Sequence, residues 1–329
     1  MNENLKPARK AFSRMGLALV VIMVVTVVAQ LLWTLIPLMI WGGDHWLIAS
    51  SWGVWLGNFV PMYLLGIPAG LLVLRTVPGE KPADNKLGAK YFWMALPIAY
   101  FFTYAGSLIG NTLSGMLSGG AAENAVAEMA MDTNPLKILV MVILAPLLEE
   151  YICRKQIIDR TARYGEKTAV VFSALLFGLF HGNFFQFFYA FGVGLVLGYI
   201  YIRTGRLRYT VGIHAILNFL GAVVAPFILS LVDLEALNAI DPVAAPEEVL
   251  QVYASMMPGL LIYMLYAVAL FGIVITGLVL LIIVAKRLNW KEAPEQLPAG
   301  ARLKTAYLNV GMILFFVMCA GLFALALLP

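Results

Sequence analysis

Seven polar residues stand within or beside runs that are otherwise almost pure hydrocarbon: Glu149, Glu150, Arg154, His181, Asn183, His214 and Asn218. A charged side chain at mid-membrane costs roughly 2.5–3.5 kcal/mol on insertion scales, so such groups persist where they pair, face water or do chemistry. Two carboxylates, two imidazoles and an amide suit the activation of a water molecule. A carboxylate in a dry pocket holds its proton more tightly, a second carboxylate strengthens that effect, and a guanidinium reverses it. Glu149 can take a proton from water that His181 helps to hold. His214 and Asn218 can donate to the oxyanion formed when that water attacks a carbonyl. This set hydrolyses without a cofactor. Glu149, His181 and His214 can alternatively form a zinc site, although the His-Glu-x-x-His helix usual for such sites is absent. Ser173 and Cys153 lie close in sequence, but neither has a general base at a recognisable spacing.

Spacing brings the set together. Glu150 and Arg154 are i,i+4 on one helix face and can pair, as are His214 and Asn218. Phe177 stands four residues before His181 and can wall its ring. If the two helices around Gly165 form an antiparallel hairpin, Glu149 lies sixteen residues before the glycine and His181 sixteen after it. Both then sit at one depth, about 24 Å from the turn at ~1.5 Å per residue.

The elements that carry these residues must be membrane helices. Of 329 residues, 62% are hydrophobic and 12% charged, and mean hydropathy is +0.88. A soluble domain carries roughly 45–50% apolar and about 25% charged residues, so a soluble enzyme, a nucleic-acid binder and a disordered chain are excluded. Cys153 and Cys319 are too few for a disulfide scaffold or a Cys-rich metal site, and both are expected as free thiols. Apolar runs cover 15–41, 47–74, 91–122, 138–148, 168–202, 209–232, 258–285 and 305–328. The run 168–202 is broken at Gly182-Asn183 and reads as two short spans. The expected fold is an all-α polytopic bundle of eight or nine helices rather than a barrel. It forms one membrane domain over 1–329, with a catalytic core at 135–225 and accessory helices in 1–134 and 226–329. The first run is too long for a signal peptide and is expected to remain in the mature protein.

Charge supports the count. With nine spans, 21 of the 22 Lys and Arg residues fall on one side, Lys137 being the exception. The opposite loops carry Asp44, Glu123, Glu128, Asp132, Asp233, Glu235, Asp241, Glu247 and Glu248. Basic loops stay cytoplasmic, which puts the N-terminus inside, the C-terminus outside, and a site reachable from the cytoplasm in the cell membrane. Lipid is an expected partner and nucleic acid is not; the oligomeric state is left open.

Local features add detail. Asn134-Pro135 reads as a helix cap with a first-turn proline. Pro146 should kink its helix and free the Val142 carbonyl. Gly165 and Gly205 sit where helix ends need a left-handed residue. Residues 247–257 read as a short amphipathic surface helix. Trp33, Trp41, Trp46, Trp52 and Trp55 read as interfacial anchors, Asn58 and Asn111 as interhelical hydrogen bonders, and His45 as an exposed loop residue. The aromatic run 184–191 reads as lipid-facing packing, with a groove for a substrate lipid as the alternative.

Three motifs carry a resemblance. Glu149-Glu150-Tyr151-Ile152-Cys153-Arg154 matches EExxxR, Phe177-Gly178-Leu179-Phe180-His181 matches FxxxH, and His214-Ala215-Ile216-Leu217-Asn218 matches HxxxN. In this order on three membrane helices, they resemble the CAAX-protease and bacteriocin-processing (CPBP, or Abi) family. The resemblance covers about 135–225. It implies an intramembrane endopeptidase acting on a membrane-inserted or lipidated peptide, with Glu149 and His181 activating water. His214 and Asn218 would form the oxyanion hole, and Glu150 and Arg154 would support the site. Two other classes use the same cluster: a non-catalytic bacteriocin-immunity or scaffold protein, and a transporter. Against the transporter, the sequence lacks inverted repeats or matched broken helices.

Overall fold

A computed structural model describes residues 5–233, 236 and 246–328. Glu235 and Asp241, expected in an acidic loop, lie outside the described residues. Every element among the described residues is helical. Among the described residues nine long helices, here α1 to α9, run Lys6–Trp41, Ser51–Leu74, Ala89–Ser118, 138–161, Glu166–Phe180, Phe184–Thr204, Leu207–Leu229, Pro246–Ala285 and Val310–Leu325. Short helices Trp46–Ala49 and Ala125–Met131 precede α2 and α4, and 299–306 leads into α9.

Six of the described helices are long and apolar enough to cross a membrane: α1, α2, α3, α6, α7 and α8. A seventh follows if 299–306 and α9, bent by 65°, count as one span. The expected eight or nine is slightly higher, for two physical reasons. Helix α4 carries Glu149, Glu150, Arg154, Lys155, Asp159 and Arg160. Helix α5 has 15 residues, about 22 Å against a hydrocarbon core of about 30 Å.

Helix boundaries follow local chemistry. Ser50 caps α2 by accepting from the Gly53 N–H at 3.0 Å. Asn134 accepts from the Leu136 N–H at 2.9 Å ahead of α4. Asn183 accepts from the Gln186 N–H at 2.9 Å and starts α6, so the Gly182-Asn183 break is a tight turn between α5 and α6. Gly205 ends α6 in the left-handed conformation, φ 60° and ψ 18°. Gly165, at φ 124° and ψ 126°, lies outside the left-handed helical region, in backbone space that only glycine enters freely.

Four expectations change. Lys6, Arg9, Lys10 and Arg14 do not precede the first helix but form its first turns, where Arg14 Nη1 donates to the Thr76 carbonyl at 2.8 Å. Residues 247–257 are not a separate surface helix but the start of the 40-residue α8. Trp55 is not an anchor: it is 1% exposed and donates from Nε1 to Asp132 Oδ2 at 2.7 Å. His45 caps the helix at Trp46–Ala49 and stacks on Trp41 at 4.5 Å.

The basic segments close on one another at one end of the bundle. Glu80 N–H donates to the Asp159 carbonyl, Asn85 N–H to Thr204, Glu295 N–H to Arg163 and Leu297 N–H to Tyr164. Arg203 Nη2 pairs with Glu166 Oε2 at 2.7 Å and also donates to the Asn289 carbonyl. At the opposite end, Asp132 ties α2 to the start of α4, accepting from Ser51 Oγ at 2.6 Å as well as from Trp55. The charge alternation read from the sequence is therefore built into the hydrogen bonds that close the basic end.

Candidate active site

The centre of the site is a buried ion pair. Arg154 Nε donates to Glu150 Oε2 at 2.9 Å and Nη2 to Glu150 Oε1 at 3.1 Å, a bidentate pair with both side chains wholly buried. The third nitrogen, Nη1, donates to Ser173 Oγ at 3.0 Å, and Ser173 Oγ in turn donates to the Cys153 carbonyl at 2.6 Å. Ser173 is thus spent as a bridge between α4 and α5. Phe177 lies beneath the guanidinium, 4.9 Å from Cζ to ring centroid. Both cysteines are free and buried.

This pair orients the first imidazole. His214 Nδ1 lies 3.2 Å from Glu150 Oε1. An ionised carboxylate only accepts, so Nδ1 carries the proton. Nε2 then faces Glu149, 3.8 Å from Oε2, too far for a direct hydrogen bond. The second imidazole is oriented by main chain: His181 Nδ1 lies 2.7 Å from the Phe177 carbonyl. A carbonyl also only accepts, so His181 Nε2 is left as the free lone pair. Phe177 packs edge-on against both rings, 5.0 Å from His181 and 5.7 Å from His214.

Glu149, His181, His214 and Asn218 line one cavity of about 590 Å³, together with Phe177 and Tyr189. Glu150 and Arg154 stand behind it. Among the described residues, no group of three His, Cys, Asp or Glu side chains converges to hold a metal ion.

Asn218 carries a duty the sequence did not suggest. Helix α4 is irregular: 138–144 and 151–158 are wide π-helical turns, with the α-helical segment Ala145–Glu150 between them. The Ala145 N–H reaches five residues back to the Val140 carbonyl. In that register Pro146, which has no N–H, orphans Met141 rather than Val142. Asn218 Nδ2 donates to the Met141 carbonyl at 2.7 Å and fills the gap. One N–H of the Asn218 amide is therefore structural, and one remains for a ligand.

Two phenols escaped the sequence reading. Tyr189 of α6 accepts from Gln186 Nε2 at 2.9 Å, which leaves its own proton to donate into the cavity. Tyr63 of α2 also lines the cavity. The signal for Tyr189 was its place eight residues after His181, two turns on, but the intervening turn hides that register. Tyr63 lies far outside the three motifs. Asn183 supports the same corner, donating to the His181 carbonyl at 2.8 Å and to Gln186 Oε1 at 3.0 Å. The aromatic run divides: Phe184 and Phe187 pack on Phe323 of α9, while Phe185, Gln186 and Tyr189 face the cavity.

Residues 132–220 match the family described as type II CAAX prenyl endopeptidase Rce1-like. That segment is similar to the CAAX protease family. It runs from the Asp132 clamp to just beyond Asn218, and so contains every motif residue of the site. The chain is also similar to "Putative membrane peptidase YdiL" of Bacillus subtilis (strain 168), 31% identical over 162 residues. That match spans 45% of this chain and 63% of YdiL, less than two thirds of the relative's length. No solved structure matches the chain. With six or seven helices long and apolar enough to cross a membrane, and the similarity to a membrane protease family, the chain is an integral membrane protein.

Proposed function

We propose that the chain is an intramembrane endopeptidase of the glutamate type, hydrolysing a peptide bond in a membrane-inserted or lipidated peptide. One arrangement carries the reading: Glu149, His181, His214 and Asn218, from α4, the end of α5 and α7, face a single cavity backed by a buried ion pair. The family match and the relative's description as a membrane peptidase support it. The catalytic core is 135–225, and the protein sits in the cell membrane with its basic loops cytoplasmic.

In the proposed reaction a water lies between Glu149 and the free Nε2 of His181. Glu149 takes one proton as the water oxygen bonds to the carbonyl carbon. The oxyanion receives the unspent N–H of Asn218 and the Nε2–H of His214. Since Nδ1 of His214 already donates to Glu150, this role requires the imidazolium, with Glu149 Oε2 3.8 Å and Glu150 Oε1 3.2 Å from its ring nitrogens. Tyr189 O–H adds a third donor. The carbon–nitrogen bond then breaks, and the proton on Glu149 passes to the leaving amine. No step requires a metal.

The test is to express Glu149→Gln and His181→Ala at wild-type level and compare peptide termini in the membrane fraction. Uncut membrane peptides should accumulate in both variants. Unchanged termini in both would reject the reading. Loss of a cellular phenotype without any change in termini would favour a transporter; a retained phenotype would favour an inert scaffold.

A further inference from the structure

We infer that the cavity receives its substrate from the membrane face opposite the basic loops, as an extended stretch of polypeptide emerging from the bilayer on that face. The inference rests on the endopeptidase reading and adds where the substrate enters and what part of it is bound.

The lining gives the direction. From Glu149 and His214 the cavity continues past Thr103 and Asn111 of α3, Asn58 of α2 and Gln30 of α1, to Asn124 and Ala127. Those last two belong to the start of the short helix Ala125–Met131, at the end of the bundle that carries Glu123, Glu128 and Asp132. Among the described residues, none from the basic segments 75–90, 154–167, 203–210 or 286–304 lines it. That end is shut. Leu297 is 1% exposed, its N–H bonded to Tyr164, and the wholly buried Arg154 lies between the cavity and the basic surface. The sequence led to the opposite expectation, access from the cytoplasm, because depth counted from Gly165 says nothing about which end is plugged. Basic loops stay cytoplasmic, so the open end faces away from the cytoplasm.

The chemistry of the lining gives the substrate class. In hydrocarbon an unpaired main-chain N–H or C=O costs several kcal/mol. A hydrocarbon chain needs no polar partner, whereas an extended peptide needs one at each residue. Asn111 donates from Nδ2 to the Ser107 carbonyl in its own helix, so it does not join two helices, and its Oδ1 remains an unspent acceptor. Gln30 donates from Nε2 to Asn58 Oδ1 at 3.4 Å across α1 and α2, leaving Gln30 Oε1 likewise. These carbonyl oxygens can receive peptide N–H groups along the path to Glu149. Leu19, Ile22, Met62 and Met141 on the same walls suit apolar side chains.

Two experiments test this. In a Cys153→Ala, Cys319→Ala background, Ala127→Cys should react with a membrane-impermeant maleimide in intact cells or spheroplasts and not in inverted vesicles. Lys86→Cys, exposed between α2 and α3, should do the reverse. Ala127→Cys reacting only in inverted vesicles would overturn the inference, whatever the fate of catalysis. Second, peptide termini lost in Glu149→Gln should map to the outward flanks of their parent proteins. Gln30→Leu and Asn111→Leu should raise KM by about tenfold or less, with kcat held, as loss of a single hydrogen bond does. Termini that depend on Glu149 but map to cytoplasmic flanks would refute the entry side and leave the endopeptidase reading standing. Termini that do not depend on Glu149 would remove that reading itself. Unchanged KM in both leucine variants would refute the peptide track.

Discussion

Arg154→Met should be the most damaging single change in the site. The guanidinium makes two hydrogen bonds to Glu150, one to Ser173, and lies over Phe177, all away from solvent. Methionine keeps much of the volume and none of the donors. Glu150 would be left with His214 and Thr210 as partners, a carboxylate without its counter-charge in the core. Removing one member of a buried pair costs roughly 3–5 kcal/mol, most of it the burden of the stranded charge. At roughly 2 °C per kcal/mol for a large chain, the unfolding midpoint should fall by about 6–10 °C. Glu150→Leu should cost a similar amount, stranding Arg154. The double variant Glu150→Leu, Arg154→Met strands no charge, leaving only the His214 Nδ1–H without its acceptor, and apolar replacement of a whole buried pair is often close to neutral. It should recover to within about 2 °C of wild type. The assay is the monodisperse fraction on size exclusion after heating in detergent. An Arg154→Met variant within 1 °C of wild type, by the same conversion, or a double variant no more stable than either single one, would refute this account of the pair. Cleavage should remain absent in the double variant, because His214 Nδ1 has lost its acceptor. Active double variant would show that Glu150 does not hold the ring.

Three further outcomes follow from particular contacts. Asn218→Ala should cost about 0.6–2 kcal/mol by stranding the Met141 carbonyl, and Pro146→Ala, which restores an N–H in that register, should reduce the cost; equal losses in both backgrounds on thermal unfolding would show that the two are uncoupled. Tyr189→Phe should lower kcat with KM little changed while the midpoint stays put, and an unaltered kcat would remove the phenol from the reaction. Hydrogen bonds from Ser51, the Asn134 N–H and Trp55 hold the Asp132 carboxyl below the usual carboxylate range. A lowered folded pKa stabilises the fold above the ordinary value near 3.8, and that contribution fades as pH falls from there through the folded pKa. Trp55 fluorescence and the unfolding midpoint should therefore drop together on acidification in wild type but not in Asp132→Asn, and parallel titrations in the two would contradict the clamp.

The class of fold was legible because it rests on composition and on the side of each loop, and neither depends on packing. The 21 like-sided Lys and Arg residues gave the alternation, and the hydrogen bonds between basic segments show it closed into a plug. The three motifs gave the residues that meet in the cavity, since i,i+4 pairs such as Glu150 and Arg154 are local and survive any tertiary arrangement. Long-range facts were not legible. Trp55 looks like its neighbours Trp46 and Trp52 in sequence, yet it alone of the three is buried, because Asp132 lies 77 positions away. Tyr63 reaches the cavity from α2 through packing alone. The direction in which the cavity opens depends on the segment 286–304 folding back over Tyr164, which no periodicity reports.

Helix α4 shows why a regular period misplaced one detail. Met141, Ala145, Glu149 and Cys153 all line the cavity, spaced strictly by four. In an α-helix of about 3.6 residues per turn, each such step turns by ~40°, and over the three steps of this stripe it would wind off its face by ~120°. Bonds from i to i+5 take more than four residues per turn. Alternating wide and α-helical stretches bring the average close to four, and the stripe stays on one wall. The same widening moves the carbonyl freed by Pro146 from Val142 to Met141, where Asn218 can reach it. The irregular backbone thus aligns Glu149 with the cavity and ties α7 to α4 through the amide. Deleting one residue from 138–144, such as Val142, would remove the extra residue and turn Met141 by ~100° relative to Glu149. Such a variant should lose cleavage while remaining helical by circular dichroism; full activity would show that the widened turns do not set the register of the site.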